Sequence, residues 1–213
     1  MTRVALLDGP LPVSYPALCA QKRFIKADGA TAACAHALAM ATTILRHAPD
    51  VEFINAIVFP GRLATSVSCL CDALEWIAQD PPEIVLCSFG LARSSLELEM
   101  RISALQAAGT LFVASSPVHG EKIYPAAYAD VLSVQGDARC KPSELSQLGL
   151  PGARYGACVI APEAPGVQGA SVAAAHVGGV LAASWRGRPD TTLQAFGRRI
   201  RYRGCDNHAA PAH

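Results

Sequence analysis

Three residues that lie far apart in the chain carry the groups a nucleophilic hydrolase uses. Asp8 ends the apolar run RVALLD, and His36 lies in the Ala-rich segment 30–48. Ser171 lies near the start of the small-residue segment GVQGASVAAAHVGGVLAAS, residues 166–184. Each residue type also has an ordinary structural role, as a turn aspartate, a helix histidine or a serine N-cap. Whether Ser171 is a packed helix residue or a reactive hydroxyl depends on the elements that position all three.

Apolar runs alternate with helical segments along most of the chain. The pattern predicts strands at 3–8, 51–59, 83–89, 110–116 and 129–136 and helices at 30–48, 65–79 and 94–109, with Ser94 as the N-cap of the last. A further long helix opens near Ser171. Continuous apolar strands separated by helices predict a single three-layer α/β domain, with a mostly parallel sheet and helices on both faces.

Domain boundaries follow from composition. Residues 137–168 are richer in Gly, Pro and polar residues and predict loops with one short strand near YGACVIA. We expect one domain over 1–204 and a disordered tail at 205–213. In an open α/β sheet, ligands gather at the carboxyl ends of the strands, and the chain order Asp8, His36, Ser171 places one group after the first strand and one at the last long helix.

Composition excludes several classes of function. The net charge of +1 argues against nucleic acid or an anionic membrane as the main partner. The basic run RRIRYR, Arg198 to Arg203, is interpreted as a solvated tail or the end of a last helix, with a docking patch as the alternative. The eight cysteines are scattered without a CxxC pair, and no signal-peptide pattern opens the sequence. We therefore expect reduced thiols in a cytoplasmic protein.

Motifs in a fixed order resemble those of the subtilisin-like serine peptidases. VALLDG is similar to the family's first-strand motif, HALAMATTI to its histidine motif, and EIVLCSFG to its strand ending in Ser-Leu-Gly. FPGRLATSVSCLCDALEWIAQ, GTLFVASS and IYPAAYADVLSVQG resemble further family segments. GASVAAAHVGG is similar to the family's Gly-Thr-Ser-Met-Ala-Ala-Pro-His-Val segment. The resemblance covers roughly residues 3–185.

The resemblance implies a catalytic role for each of the three residues. Ser171 would be the nucleophile, at a helix start whose unpaired N–H groups favour negative charge on a bound carbonyl oxygen. His36 would take the serine proton and pass it to the leaving amine, and Asp8 would hold the imidazole tautomer. His176, five residues after Ser171, matches a packing residue of the family and is expected to be structural.

The sequence departs from the family at the oxyanion hole. The family's asparagine falls in SSPVHG, where a gapless reading places Val118, and Ser115, Ser116 and His119 are the candidate replacements. Losing such a side-chain donor costs about 2.7 to 4 kcal/mol of transition-state stabilisation in a serine peptidase.

The resemblance also implies a substrate cleft between two chain segments, Arg62 to Thr65 and Ser88 to Arg93. The candidate substrate-binding residues are Arg62, Leu63, Ala64, Ser88, Phe89, Gly90 and Arg93. Phe89 would shape a pocket, while Arg62 and Arg93 would either contact acidic residues of a leader or be merely solvated. No cofactor is expected, and no metal, because the loops lack acidic clusters for calcium.

Within the family, residues 115–140 resemble the small leader-processing peptidases of quinohemoprotein amine dehydrogenase maturation. That resemblance implies a specific precursor as substrate, the γ subunit of this dehydrogenase, and a radical SAM maturation enzyme as a possible partner. Two other classes stay open. One is an inactive or weak pseudoprotease that binds and presents a peptide. The other is a non-proteolytic α/β protein, against which the absence of GxGxxG and Walker loops counts.

Overall fold

A mostly parallel β-sheet forms the centre of the computed structural model, which describes residues 1–26, 32–61, 63–118 and 120–204. Its strands in these residues are β1 (Arg3–Asp8), β2 (Leu18–Arg23), β3 (Glu52–Ile57), β4 (Ile84–Cys87), β5 (Leu111–Ser115), β6 (Leu132–Gly136), β7 (Leu145–Gln147), β8 (Tyr155–Ala157) and β9 (Ile200–Arg203). The helices are α1 (Ala32–His47), α2 (Val67–Ile77), α3 (Leu96–Ala107), α4 (Ala170–Ala183) and α5 (Pro189–Gly197).

The strand order is β2-β3-β1-β4-β5-β6-β8-β7-β9, and every neighbouring pair is parallel except β7 with β8. Alternate residues of each central strand face opposite layers. In β1, Val4 and Leu6 pack in one core with α1 and α4, whereas Ala5 and Leu7 pack in the other core with α2 and α3. The predicted three-layer α/β fold is therefore confirmed.

Small residues let α4 lie close to its neighbours. Its alanines and glycines from Ala173 to Gly179 are buried between α1 and the sheet. At Gly179, a Cβ atom would stand 3.0 Å from the Ile44 carbonyl oxygen of α1, so only glycine permits this approach. The density of small residues that marks the sequence of α4 is thus required by helix packing.

The carboxyl ends of three parallel strands meet at one edge of the sheet. β1 ends at Asp8, β4 is followed by Ser88, and β5 ends at Ser115. Because β1 pairs with β4 and β4 with β5 in parallel, these residues share that edge. The fold places the predicted catalytic aspartate beside two of the other predicted site residues.

Several elements differ from the sequence prediction. β2 and β7 were not expected. The run Arg198 to Arg203 begins at the C-cap of α5, in agreement with its interpretation as the end of a last helix, and then forms β9, which was not expected. The N-cap of α3 is Ser95, not Ser94, because the Ser95 side chain accepts from the Leu98 amide. The strands that were missed are short or polar, and a sheet neighbour supplies their backbone hydrogen bonds. The predicted tail at 205–213 lies outside the described residues.

Candidate active site

Asp8 and His36 form a buried pair at the carboxyl edge of the sheet. The His36 Nδ1 atom lies 2.9 Å from each carboxylate oxygen of Asp8. The Asp8 side chain also accepts a hydrogen bond from the Gly9 amide at 2.7 Å. Since a carboxylate only accepts, Nδ1 carries the ring proton that it donates to Asp8. In the neutral ring the Nε2 atom is then an acceptor, which is the state a general base requires.

The pair changes the proton affinity of the imidazole. Burial acts to lower the pKa of His36, but the hydrogen bond to Asp8 and the Asp8 charge outweigh it. The net effect raises the pKa of His36 above the ordinary value of 6.5. Asp8 therefore favours the imidazolium that forms when His36 accepts a proton.

A close backbone approach brings β1 and α1 together at this pair. A Cβ atom at Gly9 would lie 2.1 Å from the Ala33 carbonyl oxygen, so no larger residue fits there. The Ala33 amide donates to the Gly61 carbonyl at 3.0 Å, which ties the first turn of α1 to the loop after β3. These contacts bring His36, one turn further along α1, to Asp8.

An amide network behind Asp8 was missed by the sequence prediction. The Asn55 side chain, fully buried in β3, donates to the Gly9 carbonyl at 3.0 Å and to the Gln21 Oε1 atom at 2.6 Å. Gln21 in turn exchanges hydrogen bonds with both backbone groups of Leu11. The network holds the chain that follows Asp8. The available signal was a single amide side chain inside the apolar run VEFINAIVF.

Ser171 lies in the first turn of α4. The N-cap is Gly169, whose φ of 114° is left-handed and favours glycine. The Ala173 amide is bonded back to the Gly169 carbonyl, so the amides before it, including that of Ser171, are unpaired within the helix. These N–H groups are positioned to stabilise negative charge near the Ser171 hydroxyl.

The Ser171 hydroxyl donates to the Ser88 carbonyl oxygen at 3.1 Å. Among the side-chain hydrogen bonds of the described residues, none joins Ser171 to His36. The structure therefore joins Asp8 to His36 and Ser171 to Ser88. The single hydrogen-bonded array of all three residues that the sequence predicts is not formed in this structure.

The oxyanion-hole candidates occupy different environments. Ser115 and Ser116 are buried at the end of β5, and the Ser116 hydroxyl already donates to the Gly152 carbonyl at 2.6 Å. Val118, which the sequence predicts in the place of the family asparagine, is 55% exposed, and its side chain offers no hydrogen-bond donor. His119 lies outside the described residues. The Ser171 amide, by contrast, is unpaired within α4.

A cavity of about 270 Å³ opens beside the end of β5, with Ser116, Val118, Ile123 and Gly152 among its lining residues. Gly90 borders the same region, because a Cβ atom there would lie 2.3 Å from the Ile123 Cδ1 atom. Leu91 exchanges two backbone hydrogen bonds with Tyr124 as an antiparallel bridge. The chain after Ser88 therefore packs against the segment that contributes Ile123 to the cavity lining.

Comparison with known proteins identifies the architecture. A cold-adapted subtilisin-like serine proteinase superposes with a TM-score of 0.67 at 18% identity, covering 92% of this chain and 80% of that one. The prenylagaramide maturation protease PagA gives a TM-score of 0.62 at 20% identity over 91% of this chain and 76% of PagA. The S218A mutant of the PatA protease domain gives a TM-score of 0.62 at 19% identity, over 93% of this chain and 84% of the PatA domain. The fold is subtilisin-like.

Sequence comparison agrees with the subtilisin-like fold. The chain is 28% identical over 148 residues to alkaline elastase YaB of Bacillus sp. (strain YaB) and, equally, to M-protease of Shouchella clausii (strain KSM-K16). Each match includes 65% of this chain and 39% of the relative, so the match spans well under half the length of these proteins. No family model matches the chain.

The predicted substrate-binding residues differ in their exposure to solvent. Leu63, Ala64, Gly90 and Arg93 are exposed, Ser88 is buried, Phe89 is half-buried, and Arg62 lies outside the described residues. The Phe89 ring packs edge-on against Phe59, with centroids 6.0 Å apart. Phe89 is thereby held by the protein, while Arg93 is available to a ligand.

Other reactive groups do not form a second centre in the part of the chain that the structure describes. The seven cysteines in these residues are all free, and burial raises the pKa of the Cys140 thiol to about 12. No cluster of three or more His, Cys, Asp or Glu side chains suited to a metal ion occurs in the same residues. None of the described helices has the length and apolar character needed to cross a bilayer.

Proposed function

We propose that this protein is a subtilisin-like serine endopeptidase with Ser171 as nucleophile, His36 as general base and Asp8 as the orienting carboxylate. The observation that carries the proposal is the buried Asp8–His36 pair, in which Nδ1 is bound and Nε2 is left as an acceptor. The subtilisin-like fold and the unpaired amides at the start of α4 support the same chemistry.

The reaction proceeds through an acyl-enzyme. The Oγ atom of Ser171 attacks the scissile carbonyl carbon while His36 Nε2 takes the hydroxyl proton. The Ser171 amide stabilises the oxyanion that forms on the carbonyl oxygen. His36 then gives that proton to the leaving amine as the C–N bond breaks. Water, deprotonated by the same Nε2 atom, attacks the ester and releases the acid product and the free serine.

We further propose that the substrate is a specific precursor from which a leader peptide is cut. PagA is described as a maturation protease and shares the fold, which supports this substrate class. With Val118 in place of an oxyanion-hole donor, catalysis depends more on binding energy that positions the scissile bond. Arg93 is suited to contact acidic residues of the leader, as is Arg62 on the sequence evidence.

The finer assignment follows from the sequence resemblance. We propose the γ subunit of quinohemoprotein amine dehydrogenase as the precursor, with a radical SAM maturation enzyme acting on the same substrate. We propose one peptidase domain over residues 1–204. The seven free cysteines in the described residues support a reducing compartment, for which we propose the cytoplasm.

A peptide-presenting pseudoprotease is the second candidate function. The observation that favours it is the Ser171 hydroxyl bonded to Ser88 instead of His36. Incubating the protein with a leader-bearing γ-subunit precursor and measuring intact masses separates the two. A peptidase yields two fragments whose masses sum to the precursor plus one water, and Ser171→Ala yields none. An uncleaved precursor that still binds supports the pseudoprotease.

A further inference from the structure

A pair of histidines, the half-buried His47 and the buried His176, joins α1 to α4 away from the Asp8–His36 pair. His47 is the last residue of α1, and its Nε2 atom lies 2.8 Å from the Nδ1 atom of His176 in α4. His176 is completely buried, and its Nε2 atom lies 2.9 Å from the Ile160 carbonyl oxygen. The two rings meet edge-on with centroids 5.1 Å apart.

The partners determine the proton positions in this chain of contacts. A carbonyl oxygen only accepts, so His176 Nε2 carries a proton and donates it to Ile160. In a neutral His176 ring, Nδ1 is then the acceptor, and His47 Nε2 must be the donor to it. The pair is therefore a directed path from His47 through His176 to Ile160, with both rings neutral.

The packing is shaped to admit the His47 ring. A Cβ atom at position 179 would lie 2.9 Å from the His47 Cδ2 atom and 3.0 Å from its Cβ atom. Gly179 therefore leaves the space in α4 that the ring fills.

The segment that receives these hydrogen bonds leads directly to the nucleophile. Ile160 forms an isolated antiparallel bridge with Gln168, and the Gly169 amide donates to the Val159 carbonyl at 2.9 Å. The segment 160–168 thus ends at the N-cap of the helix that carries Ser171. Arg46, next to His47, pairs with Glu163 in the same segment at 2.5 Å, which is a second link from the end of α1.

The same two helices carry the base and the nucleophile. His36 precedes His47 in α1 by eleven residues (47 − 36), or about three helical turns, and Ser171 precedes His176 in α4 by five (176 − 171). Sliding or rotation of α4 on α1 changes the separation of His36 and Ser171. A directional hydrogen bond between the helices opposes such movement in addition to their apolar packing.

We propose that His47 and His176 are positioning residues that hold α4 and the segment 160–168 in register with α1 while both rings are neutral. The inference rests on the proposed function for its catalytic consequence. If one of the two rings gains a proton, one ring nitrogen still donates to the other, but a positive charge is placed in the packed interface. A second proton leaves two donors facing each other, and the link is lost.

The electrostatic surroundings oppose protonation. Burial is the largest influence on His47, and the charges of His176, Arg199 and Arg46 act in the same direction, against Glu163. Together they lower the pKa of His47 from 6.5 to about 4. Burial, with a smaller contribution from Arg46, also lowers the pKa of His176, against the Ile160 carbonyl and Glu163. The remaining charged groups at the cleft beside His47 are Asp50 and the amino group of Met1.

The sign of the pH dependence follows from these pKa values. Because the folded-state pKa is below the unfolded value, the unfolded chain binds more protons between about pH 4 and 6.5. The stability contributed by the pair is complete above 6.5 and is lost as the pH falls toward 4. A variant without a titrating ring at position 47 loses part of this dependence.

Two substitutions at one position test the proposal. His47→Gln keeps an N–H donor for His176 but does not titrate, whereas His47→Leu is apolar. Arg198→Gln, which removes an exposed positive charge at the end of α5, is the control. The first measurement is the phosphonylation of Ser171 by a fluorophosphonate at neutral pH. We expect His47→Leu to lower the maximal rate about tenfold with unchanged reagent affinity, and the other two variants to stay within about twofold of wild type.

The second measurement is Tm against pH in the Ser171→Ala background, with and without His47→Gln. We expect the fall in Tm between pH 6.5 and 4 to be clearly smaller with His47→Gln. If His47→Leu does not fold, the comparison of Tm profiles with and without His47→Gln tests the inference by itself. Equal labelling of wild type and a folded His47→Leu overturns the inference, as do identical Tm profiles. If wild-type Ser171 is never labelled but the Tm profiles differ as expected, the proposed function fails and the interhelical link stands.

Discussion

The Ser171 hydroxyl is hydrogen-bonded to the Ser88 carbonyl oxygen, 83 positions away in the chain. Ser88 opens the segment along which we expect an extended peptide to bind, so a peptide N–H and the Ser171 hydroxyl compete for the same acceptor. We expect a bound peptide to release the hydroxyl from that carbonyl, which would couple ligand binding to the orientation of the nucleophile.

This coupling predicts that peptide character accelerates modification of Ser171. A peptidyl phosphonate that fills the segment from Ser88 to Gly90 is expected to label Ser171 at least about 100-fold faster than a small dialkyl phosphonate, because only the peptide displaces the hydroxyl. Intact-mass spectrometry follows the labelling, with Ser171→Ala as the control. Equal rates for the two reagents contradict the coupling.

The two residues of the proton transfer are expected to act as a unit. Ser171→Ala and His36→Ala should each abolish precursor cleavage, and the double variant should be scarcely worse than either. Single-turnover assays on the precursor measure all three. If Ser171→Ala cleaves the precursor at the wild-type rate, Ser171 is not the nucleophile. Cys34, two residues before His36, is then the thiol to substitute.

The raised pKa of His36 predicts the acid side of the activity profile. Catalysis needs the neutral ring, so kcat/KM should rise with pH through a midpoint above 6.5. Asp8→Asn removes the charge that favours the imidazolium, and we expect it to move the midpoint to lower pH while lowering the maximal rate strongly. If Asp8→Asn leaves the midpoint of the kcat/KM profile unchanged, a group other than His36 is responsible for that titration.

His36 also contributes to stability with a defined sign. A pKa raised in the folded state means that its contribution is complete below 6.5 and is lost as the pH rises through the folded-state value. Chemical unfolding of Ser171→Ala and of Ser171→Ala/His36→Gln across this range measures it. The difference between the two curves should be largest below 6.5 and fall to a constant value at high pH, where the neutral ring still donates to Asp8.

The amide network behind Asp8 predicts a kinetic effect without loss of substrate affinity. Asn55→Leu removes the hydrogen bonds to the Gly9 carbonyl and to Gln21, so the chain after Asp8 is less constrained. We expect kcat to fall about tenfold with KM unchanged. Thr43→Val is the control, because its buried hydroxyl has no hydrogen-bond partner in the structure and its removal should be near neutral.

Specificity is expected to depend on charge beside the cleft. Arg93→Glu should lower kcat/KM for a precursor with an acidic leader by about tenfold, and raised salt should reduce the difference from wild type. Arg198→Glu makes the same change in charge at an exposed position at the end of α5 and should have no effect. Casein-like or short chromogenic substrates should be cleaved negligibly. Similar kcat/KM values for generic and precursor substrates indicate a general protease.

The sequence by itself determined the layers and central strands of the fold. Runs such as RVALLD and EIVLCSFG are apolar at consecutive positions because both faces of the sheet are covered, and this signal is local. It placed β1, β4 and β5 and the helices between them within a few residues. It also placed Asp8 at the carboxyl edge, since β1 ends where its apolar run ends.

The tertiary structure alone decided the features that depend on a distant partner. β2, β7 and β9 are short or polar, and they are strands because a neighbour completes their hydrogen bonds. Asn55 and His47 are ordinary residues in the sequence, and their roles arise from Gly9 and from His176, 129 positions away. Likewise, a helix start shows that the Ser171 amide is unpaired, but only the packed fold shows that its hydroxyl is bonded to Ser88. Local periodicity carries no information about which buried polar groups meet, because that is set by how the layers pack.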